Sequence, residues 1–132
     1  MNRAAMFSVI APSLLFSSAA EATTWKAVSV GSNGSLWYID TDSMRMVSDG
    51  YKRDVIKVWV KTDYSAVKSV PEREVKQLIY VDCSQDSYKL ISVIKYRSDG
   101  SVMNSFTPSY SSYEPIAPET VLSGVLETVC KQ

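Results

Sequence analysis

The chain of 132 residues carries 14 Lys+Arg against 14 Asp+Glu, so its formal net charge is zero. No basic excess points to nucleic acid or an anionic membrane surface as a partner. With no histidine, two cysteines and no C-x-x-C pair, the sequence excludes a histidine- or thiolate-based metal site and a Cys-His nucleophile.

The first 22 residues read as a secretory signal peptide. Arg3 supplies a short basic region, Met6 to Phe16 is apolar, and Ala20-Glu21-Ala22 fits the A-x-A cleavage pattern. The apolar run falls short of the roughly 20 residues that span a bilayer. Cleavage is expected after Ala22, with Ala20 as second choice, leaving one mature domain over residues 23–132. No cysteine follows the apolar run, so no lipid anchor is expected, and the mature protein is placed in an oxidising compartment. Two cysteines in a small exported domain read as one disulfide, Cys83 to Cys130. It would close a loop of about 47 residues, for which the chain-entropy estimate is roughly 4 kcal/mol.

Beyond Ala22 the apolar residues recur mostly with period two, which argues strands. Trp25 to Val30 is a first strand, Gly31 to Gly34 a turn, and Ser35 to Asp40 a second strand. A polar connector ending in Asp49-Gly50 leads to a long third strand, Tyr51 to Thr62. There Ile56, Val58 and Val60 share an inner face, and Lys57, Trp59 and Lys61 a mixed outer one. Asp63 to Pro71 is a loop. Glu72 to Cys83 forms the fourth strand, with Val75, Ile79, Val81 and Cys83 on one face. A turn over Ser84 to Ser87 leads to a fifth strand, Tyr88 to Tyr96. Asp99-Gly100 is a hairpin signal, and Val102 to Phe106 returns as a sixth strand. Thr107 to Pro118, rich in Pro, Ser and Tyr, reads as a loop.

The last segment changes period. Val121, Leu122, Val125, Leu126, Val129 and Cys130 form one stripe of a helix. Pro118 is expected in its first turn, with Glu119 beside the positive end of the dipole. Cys130 on that stripe would face the end of the fourth strand. The fold class is therefore α+β: an antiparallel sheet of about six strands with one C-terminal helix stapled to it.

Catalytic patterns are thin. Ser65 and Lys68 match S-x-x-K, but Lys61-Thr62-Asp63 lacks the glycine of the companion K-T-G strand. Asp40-Thr41-Asp42-Ser43 opens like a calcium loop, yet Met44 occupies the third ligand position. Asn33-Gly34-Ser35 is a glycosylation sequon relevant only in a eukaryotic host. Glu72 and Glu74, two apart at a strand entrance beside Arg73 and Lys76, read as a solvated edge, and the Gly31 to Gly34 turn lacks the lysine and helix of a phosphate loop. No catalytic residue, metal or cofactor is expected. Trp25, Trp37 and Trp59 read as half-buried strand residues. Tyr110 and Tyr113 lie among serine and proline in a loop without apolar periodicity, a composition that suits adaptable binding. They are the expected binding residues; the alternative is that the loop folds back and covers the sheet with both rings.

The ordered set Trp25, Tyr38-Ile39-Asp40, Val58-Trp59-Val60, Asp82-Cys83, Tyr96 to Ser101, Ile116-Ala117-Pro118 and Val129-Cys130 resembles the bacterial surface-adhesin protein E family. The resemblance spans nearly the whole mature chain. It implies a small antiparallel sheet whose C-terminal helix is tied on by a disulfide. It also implies a non-enzymatic module binding host matrix proteins or epithelial surfaces, and a homodimer. The rival expectation is a periplasmic structural or envelope-stress protein of the same fold with no host ligand.

Overall fold

A computed structural model describes residues 23–131. The expected signal peptide and its cleavage point lie outside the described residues. In chain order the elements are β1 (Trp25–Val30), β2 (Leu36–Asp40), β3 (Arg45–Asp49), β4 (Lys52–Asp63), β5 (Glu74–Asp82), β6 (Ser87–Tyr96), β7 (Val102–Phe106), β8 (Glu114–Pro115) and α1 (Val121–Cys130). They build one antiparallel sheet in the order β1-β2-β4-β5-β6-β7, with β3 also on β4 and β8 also on β6. The expected class holds, with two short strands added.

The 12-residue β4 is the spine. One edge pairs along its length with β5, from Val55 opposite Asp82 to Asp63 opposite Glu74. The other edge is shared: β2 takes the C-terminal half, Ile39 opposite Val60, and β3 the N-terminal half, Val47 opposite Val55. β3 lies in the stretch expected to be a connector. Asp49-Gly50 leads into the long strand as expected, but by closing a hairpin, with Asp49 opposite Lys52 across the two-residue turn Gly50-Tyr51. Gly50 has φ +60°, a conformation that costs glycine nothing and lets so short a loop match the strand twist. Tyr51 is consequently a turn residue, not a strand residue, and is 94% exposed.

The core lies on the sheet face that carries the helix. Ile39 of β2, Val58 and Val60 of β4, and Ile79 and Val81 of β5 pack with Val125 and Val129 of α1. All seven are under 2% exposed, each contributing roughly 1.5–3 kcal/mol of burial. Trp37, Ile56, Tyr88, Leu90, Leu126 and both cysteines pack around this cluster. The helix rests mainly on β1 and β2. Gly124 permits that: a Cβ there would come within 3.0 Å of the Val28 carbonyl oxygen and the Ser29 hydroxyl.

The helix begins later than its sequence suggests. Thr120 is the N-cap; its hydroxyl accepts from the Ser123 amide at 3.2 Å, and the Ser123 hydroxyl accepts from the Thr120 amide at 3.0 Å. Pro118 and Glu119 therefore lie outside the first turn, which contains no acidic residue. Glu119 has φ +62°, so it turns the chain rather than starting the helix. At the other end Cys130 is bonded to Cys83, Cα atoms 5.7 Å apart, as expected. Cys83 is just beyond β5, so the last turn of the helix is fastened to the central sheet.

Candidate functional site

The segment from Thr107 to Pro118 is fastened at its far end and open in its middle. β8 pairs with the start of β6, Ser87 opposite Pro115 and Tyr88 opposite Glu114. The Ile116 amide donates to the Asp86 carbonyl at 2.8 Å. The two tyrosines of this segment have different surroundings. The Tyr113 hydroxyl donates to Asp49 Oδ2 at 2.7 Å, and the Lys89 ammonium bonds the same oxygen. Lys52 Nζ pairs with Asp82 Oδ2 at 2.6 Å. Both ammonium groups sit over the Tyr113 ring, 4.8 Å and 5.0 Å from its centre, and Lys89 is also 5.5 Å from that of Tyr80. The result is a network of two lysines, two aspartates and two aromatic rings, built from β3, β4, β5, β6 and the loop.

Charge and burial act together there. The hydrogen bond from Lys89, then that from Tyr113, holds the Asp49 carboxyl below the usual carboxylate range. Lys52 does the same for Asp82, whose side chain is only 4% exposed. Desolvation, followed by the bond to the ionised Asp49, pushes the Tyr113 phenol far upward, so it remains a donor at any physiological pH. Tyr113 is thus an anchor holding the loop to the sheet.

Tyr110 is 83% exposed. With Pro108, Ser111, Ser112 and Glu114 it borders a cleft of about 330 Å³, whose floor is Tyr88 and Leu90. Those two side chains pack against the helix-side core, so the cleft opens on that side of the sheet. Burial pushes the Tyr88 phenol upward, with Glu114 adding to the shift. Pairing Tyr110 with Tyr113 is legible in the sequence; their division into a presented ring and an anchoring ring is not.

The opposite sheet face holds a second aromatic cluster that sequence reading located only in part. Lys61 and Lys76 lie directly across from each other on β4 and β5. Lys61 Nζ is 4.7 Å from the Trp25 ring centre and 4.8 Å from that of Tyr38. Lys76 Nζ is 4.9 Å from the Tyr96 ring and 5.8 Å from Trp25. The outward direction of Lys61 and Trp59 follows from strand alternation; the convergence of Trp25 and Tyr96 needs the assembled sheet.

Other residues singled out in the sequence take structural parts. The Ser65 hydroxyl donates to Asp63 Oδ1 at 2.5 Å, and no hydrogen bond joins it to Lys68. Asp40 Oδ1 accepts from the Asp42 amide at 3.0 Å, and Asp42 accepts from the Thr24 amide, so both shape a turn. Glu72 precedes β5, which begins at Glu74; the two do not share a strand as expected, because Glu72 still belongs to the preceding loop, where the Arg73 amide bonds the Tyr96 carbonyl. Asn33 uses its side-chain oxygen on the Ser35 amide and hydroxyl. Among the described residues no group of three or more His, Cys, Asp and Glu is arranged to hold a metal ion, and no helix is long and apolar enough to cross a membrane.

The family model for surface-adhesin protein E matches residues 25–131. Two solved structures of Haemophilus influenzae protein E share the fold. One superposes with a TM-score of 0.55 at 14% identity, covering 81% of this chain and 83% of that one. Another, from crystal form II, gives 0.53 at 14% identity over 83% and 91%. No curated protein sequence matches the chain closely enough to count as a relative.

Proposed function

The chain belongs to the surface-adhesin protein E family, and on that premise we propose that it is an exported, non-enzymatic binding module whose contact surface is the segment around Tyr110. The observation that carries the reading is the pairing of a fully presented ring with a fastened loop: Tyr110 is 83% exposed beside its cleft, while Tyr113 is bonded to Asp49. A loop held in this way loses little conformational freedom on binding. Zero formal net charge leaves affinity to such local contacts rather than to long-range steering. The Cys83–Cys130 disulfide supports residence in an oxidising compartment, as does the expected signal peptide over residues 1–22. The partners proposed are host extracellular-matrix proteins or epithelial surfaces.

The test measures binding of the mature protein to immobilised laminin, vitronectin and epithelial cells, with Tyr110→Ala and Tyr113→Phe compared with the parent. An interface tyrosine that acts as a hot spot costs at least ~2 kcal/mol when truncated, roughly thirtyfold in affinity. Tyr110→Ala should show that loss while keeping the parent's thermal stability. Equal binding by Tyr110→Ala would remove the loop from the interface. A parent that binds none of the three, together with resistance of the protein to protease added to intact cells, would leave the periplasmic structural reading in its place. Mass spectrometry of the exported protein should find Thr23 at its N-terminus.

A further inference from the structure

We propose that the sheet face opposite the helix carries a separate site for a saccharide bearing a carboxylate, formed by Lys61, Lys76, Trp25, Trp59, Tyr96 and Asp40. Strand register places Lys61 opposite Lys76. Like charges in that relation repel, and sheets ordinarily avoid the arrangement or neutralise it with carboxylates. Neither ammonium has a carboxylate of the described residues within ion-pair distance, unlike Lys52, Lys89 and Lys131. Their positive charge faces ring surfaces instead: Trp25 lies against both, Tyr38 against Lys61 and Tyr96 against Lys76. A ring face attracts a cation but accepts no full hydrogen bond, so the N–H donors of both ammonium groups retain capacity for an anion.

The surroundings narrow the anion to one attached to a sugar. Trp25, Trp59, Lys76, Ile94, Tyr96 and Asp40 border a cleft of about 260 Å³, roomy enough for one or two saccharide units. The electron-rich ring faces of Trp25, Trp59 and Tyr96 suit the weakly positive C–H face of a pyranose. Asp40 is 7% exposed, and its Oδ1 is engaged by the Asp42 amide. Asp40 places an acceptor-only carboxylate at the cleft wall, matched to a sugar hydroxyl and adverse to a bare polyanion. A cation for the acid group, aromatic faces for the ring and an acceptor for hydroxyls are together the complement of an acidic sugar. The site is on the opposite side of the sheet from the Tyr110 cleft and stands whether or not that cleft binds protein.

The test titrates the mature protein with four probes at equal ionic strength: a hyaluronan hexasaccharide, an alginate hexasaccharide, neutral maltohexaose and inorganic sulfate. Tryptophan fluorescence is the reading, because Trp25 and Trp59 border the cleft. One or both acidic hexasaccharides should change the emission saturably, and which of them binds assigns a host-type or a bacterial source. The Lys61→Gln, Lys76→Gln double variant should weaken that binding about tenfold or more, the scale of a lost charge-assisted hydrogen bond. Lys76→Arg should retain it. The double variant gives up the ring contacts of both ammonium groups as well as a like-charge contact, so its thermal midpoint is measured beside the parent's, and weakened binding at temperatures where both are fully folded reads the site and not the fold. Saturable binding of maltohexaose as tight as that of the acidic sugars overturns the proposal. So does complete competition by millimolar sulfate, which would mark a bare anion site, and so does unchanged binding by the double variant or no response to either acidic probe.

Discussion

Removing the Cys83–Cys130 bond, by Cys83→Ala with Cys130→Ala, tests how the helix is held. Alanine is the better replacement, because serine would add two hydroxyls beside a core with no partner for them. The bond joins residues 47 apart. The chain-entropy relation assigns a loop of that length roughly 4 kcal/mol, within the ~2–5 kcal/mol lost when small exported domains are deprived of a native disulfide. The local consequence should be larger than a uniform loss. α1 has 10 residues, below the length at which a helix is more than marginal alone, and among its residues only Val125 and Val129 are fully buried. For a domain of this size the drop in thermal midpoint should be roughly 15–25 °C. Amide exchange should rise first in residues 121–130, ahead of β4 and β5. The assay is thermal unfolding followed by circular dichroism, with hydrogen exchange on the same samples. A midpoint lowered by less than about 5 °C, with helix amides as protected as those of β4, would refute the view that the staple secures the helix.

Gly124→Ala should destabilise by about 1 kcal/mol in urea unfolding. The gain in helix propensity is about 1 kcal/mol, and forcing a Cβ to 3.0 Å from the Val28 carbonyl belongs to the ~1–3 kcal/mol class of overpacking; a rise in stability would show that β1 yields freely. Tyr113→Phe should cost about 1–2 kcal/mol by removing a hydrogen bond to an ionised carboxylate, and nuclear magnetic resonance should find the Asp49 carboxyl titrating at higher pH than in the parent. Acid should weaken the fold through Asp49 and Asp82. Both have folded values below the unfolded one, so their contribution is complete above about pH 4 and is lost as pH falls through the depressed values; the urea midpoint should drop between pH 5 and 2, less steeply in Lys52→Met. Tyr110→Ala should leave the midpoint within about 0.5 kcal/mol of the parent, since an 83% exposed ring contributes little to folding.

What the chain alone determined is what depends on local period and on counting. Alternation in KVWV and LIYV placed Val58, Val60, Ile79 and Val81 on the inner face, and all four are buried. The i, i+4 stripe through Val125 and Val129 specified the helix and the side it buries, and two cysteines in a domain expected to be exported specified one bond. These signals are legible because each residue's environment follows from its neighbours along one element. β3 escaped because Arg45–Asp49 has little apolar alternation, and its strand character is conferred by β4 across the Asp49–Lys52 turn. The helix start shifted because the positive φ of Glu119 and the Thr120 cap decide it, and neither is a matter of periodicity. The separation of Tyr110 from Tyr113 depended on Asp49, 64 residues away in the chain from Tyr113. Likewise Trp25 and Tyr96 meet Lys61 and Lys76 only because register aligns side chains from β1, β4, β5 and β6 on one face. Period fixes which way a side chain points; which partners wait there is decided when distant strands pair, because that choice depends on the energy of the whole sheet and not on any one segment.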